Sequence, residues 1–205
     1  MVEDEYMPGS EGQVLKNLLG ITSIKEIERV ETELLYEITD AILDDFDKNL
    51  RFTAEYLCRM HRNWLGSVYE WAGRYRKVMI SKADFPFAAP AFIPKLMEEF
   101  EKQILLKYTP CIFDSKEEIV SALAIVHAEL VLIHPFREGN GRISRLLSML
   151  MALQADLPSL DFESMKGDGR KEYFAAVRYG LDRNYRPMKK IFSDIIDQTR
   201  KAYGE

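Results

Sequence analysis

The chain has 205 residues, 28 Lys and Arg against 33 Asp and Glu, a formal net charge of −5 and 47% hydrophobic residues. That length suits one domain, or one domain with a small extension, and buries a core without a metal or disulfide staple. The acidic balance argues against general nucleic-acid binding through a basic face while leaving room for a local basic pocket, and two separated cysteines, Cys58 and Cys111, exclude a disulfide framework or a zinc site.

The first residues, Met1 to Ser10, are acidic and lack an apolar run, so they do not read as a signal peptide. No stretch approaches the roughly 18 apolar residues of a membrane span, and the expectation is a soluble cytoplasmic protein. Ser23-Ile24-Lys25-Glu26 is a capping-box sequence, and Ile27, Val30, Leu34, Ile38 and Ile42 then recur at helical spacing. A second helix is predicted from near Thr53, with Leu57, Met60, Trp64 and Val68 on one face and an end by Gly73. Tyr75 to Ser81 breaks the helical period and reads as a strand, with Lys82 to Phe87 as a turn and return. Prolines at 86, 90 and 94 keep this hairpin out of a larger sheet. An isolated hairpin with open edges is a liability unless it pairs with something. Pro94 suits the start of a helix carrying Leu96, Met97, Phe100 and Ile104. A second capping box, Ser115 to Glu118, precedes Ile119, Leu123, Val126, Leu130 and Ile133. Ile143, Leu146, Leu147, Leu150 and Leu153 mark the next helix, and two more follow, around Tyr173 to Leu181 and from Pro187 onward. The fold class expected is all-α with one short hairpin.

The stretch between the two strongest helices carries the chemistry: His134-Pro135-Phe136-Arg137-Glu138-Gly139-Asn140-Gly141-Arg142, continuing to Arg145. Pro135 disfavours helix at His134, so the histidine should end the preceding helix. Gly139 and Gly141 permit a tight turn and a close approach of backbone to a ligand. The next helix begins there, so its free N–H groups and positive dipole end face the loop and form an anion site. Arg142 and Arg145 lie three apart on its first turn and both reach toward the same anion. Glu138 beside a phosphate implies a Mg²⁺ ion between the two negative groups. His134 supplies a base. Base, metal ligand, amide cradle and arginines together describe phosphoryl or nucleotidyl chemistry.

This segment resembles, at every specified position, the signature His-x-Phe-x-(Asp/Glu)-Gly-Asn-Gly-Arg-x-x-Arg of Fic proteins. A chance match in a chain of this length is on the order of one in a hundred million. Trp71-Ala72-Gly73-Arg74-Tyr75-Arg76 is similar to that family's lead into its hairpin, the flap, and Ser81 to Phe87 resembles the flap itself. Tyr185-Arg186-Pro187-Met188 is similar to a common family ending. The resemblance covers about residues 20 to 196, with 1–20 read as an N-terminal extension and 21–205 as the Fic domain. It implies a helical fold and an enzyme that moves AMP from ATP onto a hydroxyl side chain of a target protein. His134 would take the hydroxyl proton, Asn140 would orient the α-phosphate, and Glu138 would hold Mg²⁺. The amides around Gly139 and Gly141 would stabilise charge on the phosphate oxygens. Arg142 and Arg145 would bind the β- and γ-phosphates, Phe136 would anchor the loop, and Tyr173 would line the adenine pocket. Val78, Met79, Ile80, Ser81 and Lys82 would form the target-docking edge.

The other histidines, His61 and His127, read as satisfied structural residues, and Trp64, Trp71 and the aromatics at 85, 87 and 92 as core. Many Fic proteins carry an inhibitory helix, (Ser/Thr)-x-x-x-Glu-(Gly/Asn), whose glutamate engages the second motif arginine. Thr22 to Ile27 and Ser193 to Gln198 approach this pattern without satisfying it. The lead-in from Pro8 through Thr22 also resembles the group restrained by a separate small antitoxin. The resemblance therefore implies the toxin of a bacterial toxin–antitoxin pair, with type II topoisomerase subunits as targets. A phosphotransferase or phosphocholine transferase on the same fold, and a non-catalytic nucleotide- or antitoxin-binding module, are the alternatives.

Overall fold

The computed structural model describes residues 5–82 and 84–204; Ala83, within the predicted turn, and residues 1–4 of the acidic start lie outside them. Among the described residues the architecture is helical, apart from one two-stranded sheet and one isolated bridge between Tyr6 and Leu15. Helix α1 (Ile24–Asp44) buries Ile27 and Ile38, with Val30, Leu34 and Ile42 packed at the edge of the core. Ser23 does occupy the N-cap, but its side chain makes no capping hydrogen bond, so the expected box is not formed. Thr53 does cap α2 (Ala54–Leu65), its hydroxyl accepting from the Tyr56 N–H at 3.0 Å. This helix ends at Leu65, short of Gly73, and turns carry buried Val68, Tyr69, Trp71 and Ala72 onward.

Pro94 lies in the first turn of α3 (Ile93–Phe100), which continues through a π-turn, Glu101–Leu105, into the short α4 (Leu106–Tyr108). Helix α5 (Lys116–Ile133) is capped by Ser115, whose oxygen accepts from the Glu118 N–H at 3.2 Å and whose hydroxyl donates to the Glu118 carboxylate at 2.8 Å. Its sequence is apolar on nearly every side, so it cannot lie at a surface. It packs against α3, α6 (Asn140–Gln154), α7 (Arg170–Tyr179) and α8 (Arg186–Tyr203), which makes it the axis of the fold. The loop joining α5 to α6 is therefore held between two helices buried in one core.

The hairpin is much shorter than the sequence pattern suggests. Only Ser81–Lys82 (β1) and Phe85–Pro86 (β2) pair, antiparallel, with Ser81 opposite Pro86 and Lys82 opposite Phe85. Residues 75–80 form no ladder, and the buried Arg76 ties this stretch to its surroundings. Its guanidinium donates to the carbonyls of His134 (2.7 Å), Val78 (2.7 Å) and Ala88 (2.6 Å), while its N–H donates to the Pro135 carbonyl at 2.9 Å. The break in helical period in this segment reports a strap tied to the α5–α6 loop and not a long strand. Phe92, expected in the core, is 63% exposed.

Candidate active site

His134 ends α5 as its C-cap, in the left-handed region at φ 52°. Its Nδ1 lies 3.0 Å from the Val131 carbonyl, which can only accept, so Nδ1 carries the proton and Nε2 presents a lone pair. The ring stacks on Phe87 with centroids 3.6 Å apart, so two neighbours fix its plane. Burial pulls its pKa down to about 4, and the Arg76 and Lys82 charges push the same way, which keeps the imidazole neutral at physiological pH.

Gly139 is the N-cap of α6 at φ 83°, and a Cβ there would meet Trp64 Cζ3 at 2.5 Å. Both the conformation and the contact demand glycine. Phe136 is fully buried and stacks on His61 with centroids 4.0 Å apart. His61 donates from Nε2 to the Glu138 carbonyl (3.0 Å) and accepts the Gly73 N–H at Nδ1 (2.8 Å), so it joins the motif loop to the turn after α2. Burial holds its pKa at about 4, in keeping with a structural histidine.

A cavity of about 530 Å³ opens over this loop, lined by His134, Glu138, Gly139 and Gly141 on one side and by Ile80, Lys82 and Phe174 on the other. Arg142 and Arg145 line it as well, at the N-terminal turn of α6. Its volume lies in the range of small-molecule sites. Residues 51–152, which contain the whole loop, match the Fic/DOC family model. The chain belongs to the Fic/DOC family. The protein adenylyltransferase VbhT of Bartonella schoenbuchensis is 33% identical over 156 residues, 74% of this chain and 31% of that protein. The probable protein adenylyltransferase Fic of Salmonella typhimurium is 27% identical over 205 residues, covering 97% of this chain and 95% of that protein. The crystal structure of the N-terminal Fic domain of an effector from Bartonella sp. AR 15-3 superposes with TM-score 0.74 at 25% identity, covering 95% of this chain and 92% of that one. The chain spans about a third of the length of several curated relatives it matches.

Within the Fic loop the two arginines are used differently. Arg145 is largely buried and lines the cavity, and among the described residues it has no ion pair. Burial, with repulsion from Arg142, lowers its pKa, which marks a cation in need of an anion. Arg142 is already engaged. It donates to Glu31 of α1 at 2.6 Å, approaches Glu138 at 3.4 Å and lies over the Trp64 ring at 4.6 Å. Both arginines line the same cavity, as their spacing predicts, but Arg142 meets it with acidic partners already in place.

Asn140 also differs from expectation. Its Oδ1 accepts from the Phe136 N–H at 2.8 Å and its Nδ2 donates to the Phe136 carbonyl at 2.7 Å, so the buried carboxamide clasps the loop. Glu138 is half-exposed, with Oε1 accepting the Gly139 N–H at 2.8 Å. It is the one carboxylate among the residues lining the cavity, and among the described residues no cluster of three or more metal-ligand types occurs. That donor set fits a magnesium ion carried in with a polyphosphate, which keeps most of its ligands as water and phosphate oxygen.

Tyr173 lines the cavity floor with its hydroxyl 2.9 Å from His127 Nε2. Ser148 Oγ donates to the Ser144 carbonyl, so it accepts from His127 Nδ1–H at 3.0 Å, and Tyr173 must donate to Nε2. The ring that faces a second recess of about 420 Å³ is the neighbouring Phe174, with Phe85, Phe87 and Val177 around it. Of the flap residues, Ile80, Ser81 and Lys82 reach the main cavity; Val78 and Met79 do not line it, and Met79 is 63% exposed. Neither inhibitory-helix approximation reaches Arg145: Glu26 is exposed on α1, and Asp197 pairs with Lys116 at 2.5 Å.

Sequence reasoning missed Glu31, Arg76 and the arginine-stacking role of Trp64. Arg76 carries no pattern of its own. Glu31 did leave a signal, a carboxylate on the apolar stripe of α1 between Ile27 and Ile38.

Proposed function

We propose that this chain is a protein adenylyltransferase, transferring AMP from ATP to a Ser, Thr or Tyr hydroxyl of a target protein. The observation that carries this reading is the pairing of a neutral, ring-locked His134 base with the anion-seeking end of α6 at one cavity. In the proposed step the target hydroxyl oxygen attacks the α-phosphorus and its proton passes to His134 Nε2. The bond from the α-phosphorus to the bridging oxygen breaks, and pyrophosphate leaves with that oxygen. Free N–H groups at the start of α6 face the charge that develops on the phosphate oxygens. Arg145 takes the outer phosphates, Arg142 assists from the same turn, and Asn140 keeps the loop in register. Glu138 is the residue to hold Mg²⁺; the ion, when bound with the nucleotide, neutralises phosphate charge. The aromatic recess of Phe85, Phe87 and Phe174 suits the adenine ring better than the tied Tyr173 does. The exposed backbone near Ser81 and Lys82 is the edge available to a target segment.

We also propose the regulation the sequence implies, a separate antitoxin whose glutamate reaches Arg145 in a bacterial cytoplasm. A groove of about 480 Å³ lined by Leu35, Tyr36, Met149 and Phe162 opens onto Arg142 and Arg145 and has the apolar character to seat a helix. The essential target, on this reading, is a type II topoisomerase subunit. The test is incubation with α- or γ-labelled ATP and cell lysate. Label carried only from the α-phosphate supports AMP transfer. Label only from the γ-position means a kinase, and no label under turnover conditions means a binding module.

A further inference from the structure

Glu31 is 4% exposed, yet it sits on the face of α1 that packs toward the motif loop, 111 positions before the residue it binds. Its Oε2 accepts from Arg142 Nη2 at 2.6 Å, its Oε1 from the Tyr69 hydroxyl at 2.6 Å, and its carbonyl from Trp64 Nε1 at 2.8 Å. Trp64 in turn lies under the Arg142 guanidinium. A buried carboxylate with a donor on each oxygen, on a residue whose carbonyl is also held, is fixed in place, and so is the guanidinium it holds.

The same Arg142 Nη2 lies 3.4 Å from Glu138 Oε1, one helical turn away. Two carboxylates therefore compete for one cation. The contact to Glu31 is short and dry, whereas the contact to Glu138 is long and half-exposed. From this geometry we propose that Glu31 is a positioning residue that draws Arg142 toward α1 and away from Glu138, leaving the Glu138 carboxylate able to ligate a divalent cation. The inference rests on the nucleotide reading above. Without Glu31 the guanidinium has one acidic partner left within reach, and closing that pair places a positive charge on the metal ligand. An outer group that keeps a ligand available typically governs metal affinity by 10- to 100-fold.

The test is equilibrium binding of ATP by calorimetry, with Mg²⁺ and with EDTA, which needs no turnover. The ratio of the two affinities measures the metal-linked part of binding. Glu31→Gln should cut that ratio about tenfold, so that the Mg²⁺ affinity falls well beyond any change in the EDTA affinity. Arg142→Ala should weaken both affinities and preserve the ratio, and in that background Glu31→Gln should change nothing further. Tyr69→Phe removes a different donor from the same carboxylate; it should lower the melting temperature without moving the ratio. A merely structural ion pair predicts that the Glu31 and Arg142 variants behave alike, and that result would overturn the inference. Should Glu31→Gln not fold, Glu31→Asp, which retracts the charge by one methylene, carries the same comparison. Wild-type protein that binds no ATP would remove the nucleotide reading itself, whereas wild-type binding with an unchanged ratio in the Glu31 variant sinks this inference alone.

Discussion

At the scale of single residues, the site depends on which atom of each side chain is already committed. His134 donates its Nδ1–H to the Val131 carbonyl, so only Nε2 is left for chemistry. His134→Ala should lower transfer by ~10²–10⁴-fold while ATP affinity by calorimetry stays within about twofold, since no phosphate contact is lost. Full transfer in that variant would remove His134 as the base. Its depressed pKa, about 4, also predicts the pH profile: the acidic limb of the rate lies near pH 4 to 5, and the rate is level through neutrality. A limb near 6.5 would mean the imidazole is solvated in the working enzyme. Asn140 makes the contrast with a pure ligand measurable. Its carboxamide satisfies both backbone groups of the buried Phe136, so Asn140→Ala should cost about 1–3 kcal/mol of stability besides lowering activity. An unchanged melting temperature would make Asn140 a phosphate ligand alone.

At the scale of elements, the loop is held from behind by α2. The Trp64 ring fills the space where a Cβ on Gly139 would stand, and it also supports Arg142. Gly139→Ala combines a left-handed φ of 83° with a 2.5 Å clash, so it should destabilise by about 1–3 kcal/mol. It should also lower ATP affinity, because Trp64 can yield only by moving Arg142. A thermal melt within a degree of wild type, with unaltered affinity, would show that Trp64 adapts freely. The α5–α6 loop was legible in the sequence because its constraints are local: Pro135 after His134, glycine at 139, arginines one turn apart. The hairpin was legible as a departure from helix and misread in extent. Arg76 satisfies the carbonyls of His134, Val78 and Ala88, and nothing in the composition of residues 75–81 distinguishes bonds made to a guanidinium from bonds made to a strand. Glu31 was misread by omission, since its partner Arg142 lies far along the chain and only its place on an apolar stripe gave it away.

For the molecule as a whole, the three histidines of the chain make acid stability a test of the entire arrangement. His61 and His134 are held at about 4 and His127 at about 3, each chiefly by burial. They brace different parts of the fold. His61 joins the motif loop to the turn at Gly73, His127 joins α6 to Tyr173, and His134 closes α5. All three pKa values are lower in the folded chain than the ordinary ~6.5 of an unfolded one. Between those values the unfolded chain binds more protons, so stability must rise with pH across that window. The contribution is fully present above about pH 6.5 and is lost progressively as the pH falls toward 4 and below. Burial that holds three imidazoles below that value makes their combined contribution a large part of the stability of an ordinary domain. Denaturant melts at intervals from pH 7.5 to 4.5 should therefore show the midpoint falling steeply below pH 6. Replacing His127 by Gln, which can keep hydrogen bonds toward Ser148 and Tyr173 but does not titrate, should flatten the slope by the share of one proton. A midpoint independent of pH over that range would mean that the histidines are protonated and solvated, and that the buried network joining α2, α5, α6 and α7 does not hold together as described.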